Sequence, residues 1–472
     1  MRELWIVFGA KLLTILAYQV MNLTVVLWLS SDLGYSDARA SSAIGIWSAL
    51  LTFFTVLVGS LVDAIGIRKA LLLGLCLCFC SRGIMALATP PWLALACGLL
   101  PLALGEALLT PVMVAAVRRY STTPQRSISF SIFYAMMNAG FGIAGLIFDY
   151  VRKGLGEHGH LALPRLGLEL SAYRTLFLIS CLLTLPNLVL TYFGLRDGVE
   201  ATDEGVRFCP KRPKHAQAGV GRAFAQSIRD AGRDSIGIFA GLWRQPVFHC
   251  FLVFLSLIVA VRLVSYHMHY TYPKFGIREL GPGAPVGHAF WQVNAILIVI
   301  LAPVVGALSQ RVAAYRMITV GSFISASSVF LMALPPQWFQ PLADGRAGDW
   351  LGHAWLGLQG RVHPYYVMIF LFAVFFSVGE AIWSPRVYEY TAAIAPKGQE
   401  ASYMSLSYLP FFVAKFFVGG FSGLLLARYC PETGPRHSPT LWLLIALTTL
   451  ITPLGLLLLR RYIRVREAGR AD

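Results

Sequence analysis

Eight ionisable residues stand inside stretches that are otherwise apolar: Lys11, Arg82, Glu106, Arg262, Glu380, Arg386, Glu389 and Lys415. If those stretches lie in hydrocarbon, each charge costs at least about 2.5–3.5 kcal/mol and must face a partner or a cavity. A carboxylate held there can take up and release a proton, and a Lys or Arg can hold an anionic group. Glu106 and Glu380 are therefore candidate proton-coupling residues, and Lys11 and Arg262 candidate anion ligands. Neutral polar side chains extend the pattern. Lys11, Thr14, Tyr18 and Asn22 recur at spacings of 3, 4 and 4, a polar stripe down one helical face. Ser127, Ser131, Tyr134 and Asn138 form a second row, Ser405, Tyr408, Phe412 and Lys415 a third, and Arg262, Tyr266 and His269 a fourth. Tyr18, Asn22, Asn138, Tyr266, Tyr408 and Lys415 are expected to flank a bound molecule. The plainer role for the neutral members is interhelical hydrogen bonding, worth about 0.6 kcal/mol per contact. Arg82 lies near the end of its run, where snorkelling to the surface predicts a structural role. Arg386 and Glu389 are three apart and can neutralise each other on one face.

The elements that carry these residues follow from composition. The chain has 472 residues, 57% hydrophobic and only 13% charged. Soluble domains are roughly 45–50% apolar and 25% charged. Apolar runs of about 20 residues, enough to cross about 30 Å of hydrocarbon, occur at 4–29, 40–62, 70–88, 92–117, 127–148, 174–195, 246–267, 288–309, 316–334, 364–391, 401–427 and 441–459. The expected fold is an all-α polytopic membrane protein of twelve transmembrane helices in two pseudo-symmetric six-helix bundles. Residues 1–195 form the first bundle, 196–245 a basic linker, and 246–472 the second bundle with a short tail. Within the linker, Phe224–Phe239 can form an amphipathic surface helix. The first run is too long for a signal-peptide core and reads as the first span.

With the N-terminus inside, 23 Lys and Arg fall on inner segments and 11 on outer ones. That bias places both termini and the linker in the cytoplasm, with the protein in a plasma or bacterial inner membrane. The net charge of +16 is scattered over loops and ends, which argues against nucleic acid. Cys76, Cys78 and Cys80 do not share a helical face, and His267 and His269 have no carboxylate or Cys beside them, so no metal site is expected. The sequence contains no HExxH, GxSxG or GxxxxGK[ST] motif, so neither an enzyme nor an ATP-driven pump is expected, and no cofactor. Asn22-Leu23-Thr24 is a glycosylation sequon, but it lies inside a span.

A repeat relates the two halves. Gly105-Glu106-Ala107-Leu108-Leu109-Thr110-Pro111 returns as Gly379-Glu380-Ala381-Ile382-Trp383-Ser384-Pro385. The same offset pairs Gln125 with Gln399, Ser131 with Ser405, Tyr134 with Tyr408 and Gly145 with Gly419. A shared intramembrane Glu argues for common ancestry of the halves, an architecture frequent in secondary transporters.

On these residues the chain resembles the major facilitator superfamily, two six-helix bundles around a central cavity. The segment from Gly59 to Lys69 is similar to that family's G-x-L-x-D-x-x-G-x-R-[RK] loop, with Ala64 and Ile67 where basic residues are usual. The resemblance implies that Gly59, Asp63, Gly66, Arg68 and Lys69 form a conformational latch. The second half keeps only Gly306 to Arg311, with Gln310 where an acid would stand. It also implies that spans one, four, seven and ten line the cavity, where Lys11, Glu106, Arg262, Glu380, Arg386 and Glu389 fall. Spans ten and eleven resemble the proton-coupled oligopeptide branch through Gly379-Glu380, Pro385 and Ala395-Pro396. Lys11 to Ile15 stands where that branch carries E-x-x-E-R. The function so implied is proton-coupled secondary transport of a small polar or amphipathic solute by alternating access. The alternatives are an oligopeptide symporter and a non-transporting receptor on the same fold. A monomer in contact with membrane lipid, solute and protons is expected, with Lys11, Glu106 and Arg262 converging on one cavity.

Overall fold

The computed structural model describes residues 2–122, 126–164, 167–196, 198–202, 205–208, 243–309, 312–394 and 409–463, with 226, 229, 233 and 241. In hydrocarbon a backbone must satisfy its own N–H and C=O groups, and a helix does so within one segment. The apolar runs accordingly form helices: α1 Arg2–Ser31, α2 Asp37–Ile65, α3 Ile67–Leu87, α4 Leu100–Tyr120, α5 Arg126–Leu155 and α6 Ala172–Gly194. After the linker come α7 Pro246–Tyr270, α8 Val293–Leu308, α9 Ala314–Val329, α10 Pro364–Ile394, α11 Leu409–Tyr429 and α12 Ser438–Thr449, continued by Ile451–Leu458. Eleven of the twelve are long and apolar enough to cross a membrane by the described residues alone. The remaining one, α2, is 29 residues long and its described side chains end at Thr55. The chain is an integral membrane protein with the expected helical architecture.

α4 and α8 open with π-helical stretches, Ala94–Leu99 and His288–Gln292. Pro111 and Pro385 sit inside α4 and α10. A proline there removes the hydrogen bond to the carbonyl four residues back, Ala107 or Ala381, each one residue past a repeated Glu. Two antiparallel hairpins, His160–Leu163 with Leu168–Ser171 and Val199–Thr202 with Gly205–Phe208, decorate the connections. The helix expected over Phe224–Phe239 lies almost wholly outside the described residues.

Contacts divide the chain into two compact units. One holds Met1–Thr24, Ile46–Gly140 and His160–Gln245; the other holds Val25–Gly45, Phe141–Gly159 and Pro246–Asp472. The boundary passes through α1, α2 and α5 as well as the linker. In the first unit α3 packs on α4 and α6. Glycine permits the α3–α4 approach: a Cβ on Gly105 would lie 2.8 Å from Cys78 Sγ, and one on Gly74 would lie 3.0 Å from the Gly105 carbonyl. In the second unit α9 packs on α10 through Gly321 and Gly379 in the same manner, where a Cβ on Gly321 would sit 2.8 Å from the Gly379 carbonyl. Phe290, Phe372, Phe376 and Trp442 build an aromatic core beside them.

Candidate functional site

The first unit buries three charges together. Arg82 on α3 forms an ion pair with Glu106 on α4, the two being 1% and 5% exposed. The second guanidinium nitrogen, Nη1, donates to Thr184 Oγ1 on α6 at 2.7 Å. The Cys78 thiol, one turn before Arg82 on α3, also faces the carboxylate at 3.6 Å. Lys11 on α1 is 1% exposed, lies over the Phe133 ring at 4.7 Å, and feels the charge of Glu106. Among the described residues no carboxylate is within ion-pair distance of Lys11. Arg82 therefore does not snorkel: its close partner is the intramembrane acid, and the sequence reading placed it wrongly. A signal was available in the row Gly74, Cys78, Arg82, spaced by four, which shares a face with the glycines of the helix crossing.

The polar stripe of α1 divides its labour. Thr14 accepts a hydrogen bond from Asn187 Nδ2 on α6 at 2.8 Å, the interhelical role expected of neutral members. Tyr18 is half-buried and Asn22 buried. Asn138 donates to the Tyr134 carbonyl of its own helix at 2.9 Å. Between α2 and α3 Gly66 adopts φ of 87°, a left-handed backbone that suits glycine. Arg68 donates to the Tyr192 carbonyl at 2.7 Å, a cation at the C-terminal end of α6. Arg68 and Lys69 are described; the side chain of Asp63 and the surroundings of Gly59 lie outside the described residues.

In the second unit Glu380 accepts a hydrogen bond from Asn294 Nδ2 on α8 at 3.1 Å, and the same amide donates to Ser377 at 2.9 Å. Arg262 on α7 acts on Glu380 by its charge, donates to Ser384 at 3.4 Å and stacks over Trp383 at 4.9 Å. Lys415 lies over the Tyr266 ring at 5.4 Å. Arg386 donates to Ser309 at 2.6 Å. Glu389's side chain and the whole of Ser405 and Tyr408 lie outside the described residues. Sequence reasoning missed Asn294, a lone amide in an apolar helix.

The same unit gathers charges at the ends of helices. Asp37, ahead of the apolar run of α2, pairs with Lys274 at 2.7 Å and Arg278 at 2.8 Å, both on the short helix Tyr272–Leu280. Burial alone would lift the Asp37 carboxyl, but the hydrogen bonds and charges of Arg278 and Lys274 hold it below its ordinary value. On α5, Asp149 accepts backbone N–H groups of Gly287 at 3.0 Å and His288 at 2.5 Å, at the positive end of the π-helical start of α8. Arg152 beside it pairs with Glu157.

Eleven membrane-length apolar helices among the described residues, two glycine-crossed helix pairs and a buried acid on each are the ground for a family assignment. The sequence profile of the Major Facilitator Superfamily matches residues 7–345. The chain belongs to the major facilitator superfamily. It is a secondary transporter, working by alternating access between the two sides of a membrane. Solved structures agree in fold along nearly the whole chain. A POT family transporter in complex with 5-aminolevulinic acid has a TM-score of 0.69 and 15% identity, covering 98% of this chain and 96% of its own. A peptide transporter POT mutant in complex with alafosfalin gives 0.68 and 18%, covering 98% and 94%. A proton dependent oligopeptide transporter gives 0.66 and 19%, covering 97% and 99%. At these identities the likeness establishes the fold. No curated protein sequence gives a significant match.

Proposed function

We propose that this transporter couples a small polar or amphipathic solute to protons. The observation that carries the reading is the buried carboxylate of Glu106, set among Lys11 and Arg82, with Glu380 at the matching repeat position. Such an acid can alternate between charged and neutral forms as each side of the membrane opens to it. A buried cation without a carboxylate partner is costly, so Lys11 is assigned to an anionic group of the solute. Arg262 takes the corresponding role in the second half, with Tyr18, Asn22, Asn138, Tyr266, Tyr408 and Lys415 around the ligand. The POT-family neighbours crystallised with 5-aminolevulinic acid, alafosfalin and a thioalcohol conjugated peptide support a solute of this size and polarity.

The remaining parts follow the same scheme. Residues 1–195 and 246–472 act as the two moving halves, joined by 196–245, and Gly59, Asp63, Gly66, Arg68 and Lys69 serve as the latch. The Lys/Arg bias sets both termini in the cytoplasm, in a plasma or bacterial inner membrane, and the unit of transport is a monomer. Oligopeptide symport is the second reading, favoured by the whole-chain likeness to oligopeptide transporters.

The test begins with thermal stabilisation of the purified protein by a panel of amino acids, dipeptides and organic anions, followed by flux of the stabilising solute in proteoliposomes. Glu106→Gln, which mimics only the protonated acid, should abolish uptake driven by a proton gradient and leave counterflow exchange largely intact. Uphill uptake by this variant at the wild-type rate assigns Glu106 to packing instead.

A further inference from the structure

Arg82 is a permanent cation whose two terminal nitrogens are committed to different helices. Nη1 holds Thr184 on α6 and Nη2 holds Glu106 on α4. Thr184 is fixed in turn, its hydroxyl donating to the Ser180 carbonyl at 2.9 Å, which leaves an oxygen lone pair for Arg82. Ser180 donates to the Ala17 carbonyl of α1 at 2.7 Å, next to Tyr18 of the polar stripe. One arm of the guanidinium is therefore anchored and the other rests on the acid. Among the described residues the titratable and charged groups around Glu106 are Arg82 and Cys78 from α3 and Lys11 from α1, and of these only Arg82 touches it as a charge.

The second half supplies an internal control. Gly74 and Cys78 line the crossing of α3 with Gly105, and Gly321 and Ser325 line the crossing of α9 with Gly379; four residues further along each helix stand Arg82 and Val329. The glycines and the small residue correspond, and the arginine becomes a buried valine. The crossing itself does not need a cation at that register.

We propose that Arg82 is the positioning residue of proton coupling, holding Glu106 as an oriented carboxylate until a proton arrives. The inference rests on the reading of Glu106 as the coupling acid. In the step itself a proton adds to a Glu106 carboxylate oxygen, no other bond is made, and Arg82 keeps its own protons. The ion pair opens while Thr184 retains the guanidinium. The charge of the Lys11–Arg82–Glu106 cluster rises by one unit, which favours an anionic group of the solute beside Lys11. Proton and solute then strengthen each other's binding without touching, as linkage requires.

The experiment is infrared difference spectroscopy of the purified full-length protein, following the carboxylic C=O stretch against pH with no solute present. The band belonging to Glu106 is the one lost in Glu106→Gln. Arg82→Val should raise the proton affinity of Glu106 by about tenfold or more, moving its titration to higher pH. Thr184→Val, which frees the anchored arm, should move it the same way by less, and Arg82→Lys should largely restore the wild-type curve. If Arg82→Val does not yield folded protein, Thr184→Val against Arg82→Lys decides. An unmoved Glu106 titration in Arg82→Val, or in Thr184→Val where that variant decides, overturns the inference whatever transport does. A moved titration combined with normal uphill transport by Glu106→Gln sinks the coupling reading instead.

Discussion

The α3–α4 crossing in the first unit and the α9–α10 crossing in the second are built on one plan. Each brings two helices together on facing glycines, and each places a Glu directly after the glycine of its second helix. They part at the partner given to that Glu. Glu106 meets the guanidinium of Arg82, whereas Glu380 meets the amide of Asn294, with Val329 where the arginine would be. An amide donor serves a carboxylate and a carboxylic acid almost alike, because either form has an oxygen to accept. A guanidinium discriminates sharply between them, being strongly attracted only to the charged form. The duplicated scaffold thus sets one acid directly against a cation, which favours the carboxylate until a proton opens the pair, and sets the other on an amide, with the charge of Arg262 acting on it as well. Packing does not explain the difference. A buried ion pair costs several kcal/mol per ion in lost hydration, and an apolar replacement is often neutral or stabilising.

That contrast is sharpened most by removing the cation alone. Arg82→Val leaves an unpaired carboxylate between helices, and a broken buried pair typically loses about 3–5 kcal/mol. Thermal unfolding in a fixed detergent should register a large drop, and Arg82→Val combined with Glu106→Gln should recover most of it. If the double variant is as unstable as the single one, Arg82 is a packing residue, and the two crossings differ in shape rather than in charge.

The converse change is Asn294→Leu, which deprives Glu380 of its donor. Losing one buried hydrogen bond costs about 1–3 kcal/mol, and Glu380 can limit even that by taking a proton. The drop should therefore be smaller than for Arg82→Val. A larger loss here would mean that Glu380 is the acid more committed to its charge, reversing the assignment.

Much of this arrangement was legible in the sequence. Span number, the six-and-six division of apolar runs and the repeated acids follow from local composition and from a constant offset between Gly105 and Gly379. What was illegible depends on which helices are neighbours. Arg82 was read from its distance to the end of a run, yet its fate is set by the facing glycines of α3 and α4, which draw it beside Glu106. Asn294 offers no periodic signal, because one amide in an apolar helix forms no stripe. Helix ends were underestimated where charges continue the helix. α5 runs to Leu155, past the expected Phe148, because Asp149 and Arg152 find partners at the start of α8 and in the loops around it. Asp37 and Lys274 are 237 residues apart, a pairing that no local pattern announces.

Asp37 gives the smallest effect and the cleanest control, since it is a cation-paired carboxylate at a helix end, not one within a span. Lys274 and Arg278 hold its carboxyl below the ordinary value against the opposing influence of burial. A carboxyl depressed in the folded state stabilises above its unfolded value, near about 3.9, and loses that contribution as pH falls through the folded value. Asp37→Asn keeps one oxygen to accept from Lys274 and Arg278 and loses the charge, and should therefore cost about 1 kcal/mol at neutral pH. The gap between wild type and variant should close only below about pH 4. Added salt should narrow it modestly at neutral pH, because Asp37 is 11% exposed and its partner Arg278 also pairs with the exposed Glu432, while the penalty of Arg82→Val, at a pair 1% and 5% exposed, should stay fixed. Equal salt sensitivity of the two would place the Arg82–Glu106 pair in contact with water and remove the ground for treating it as a pair apart from solvent.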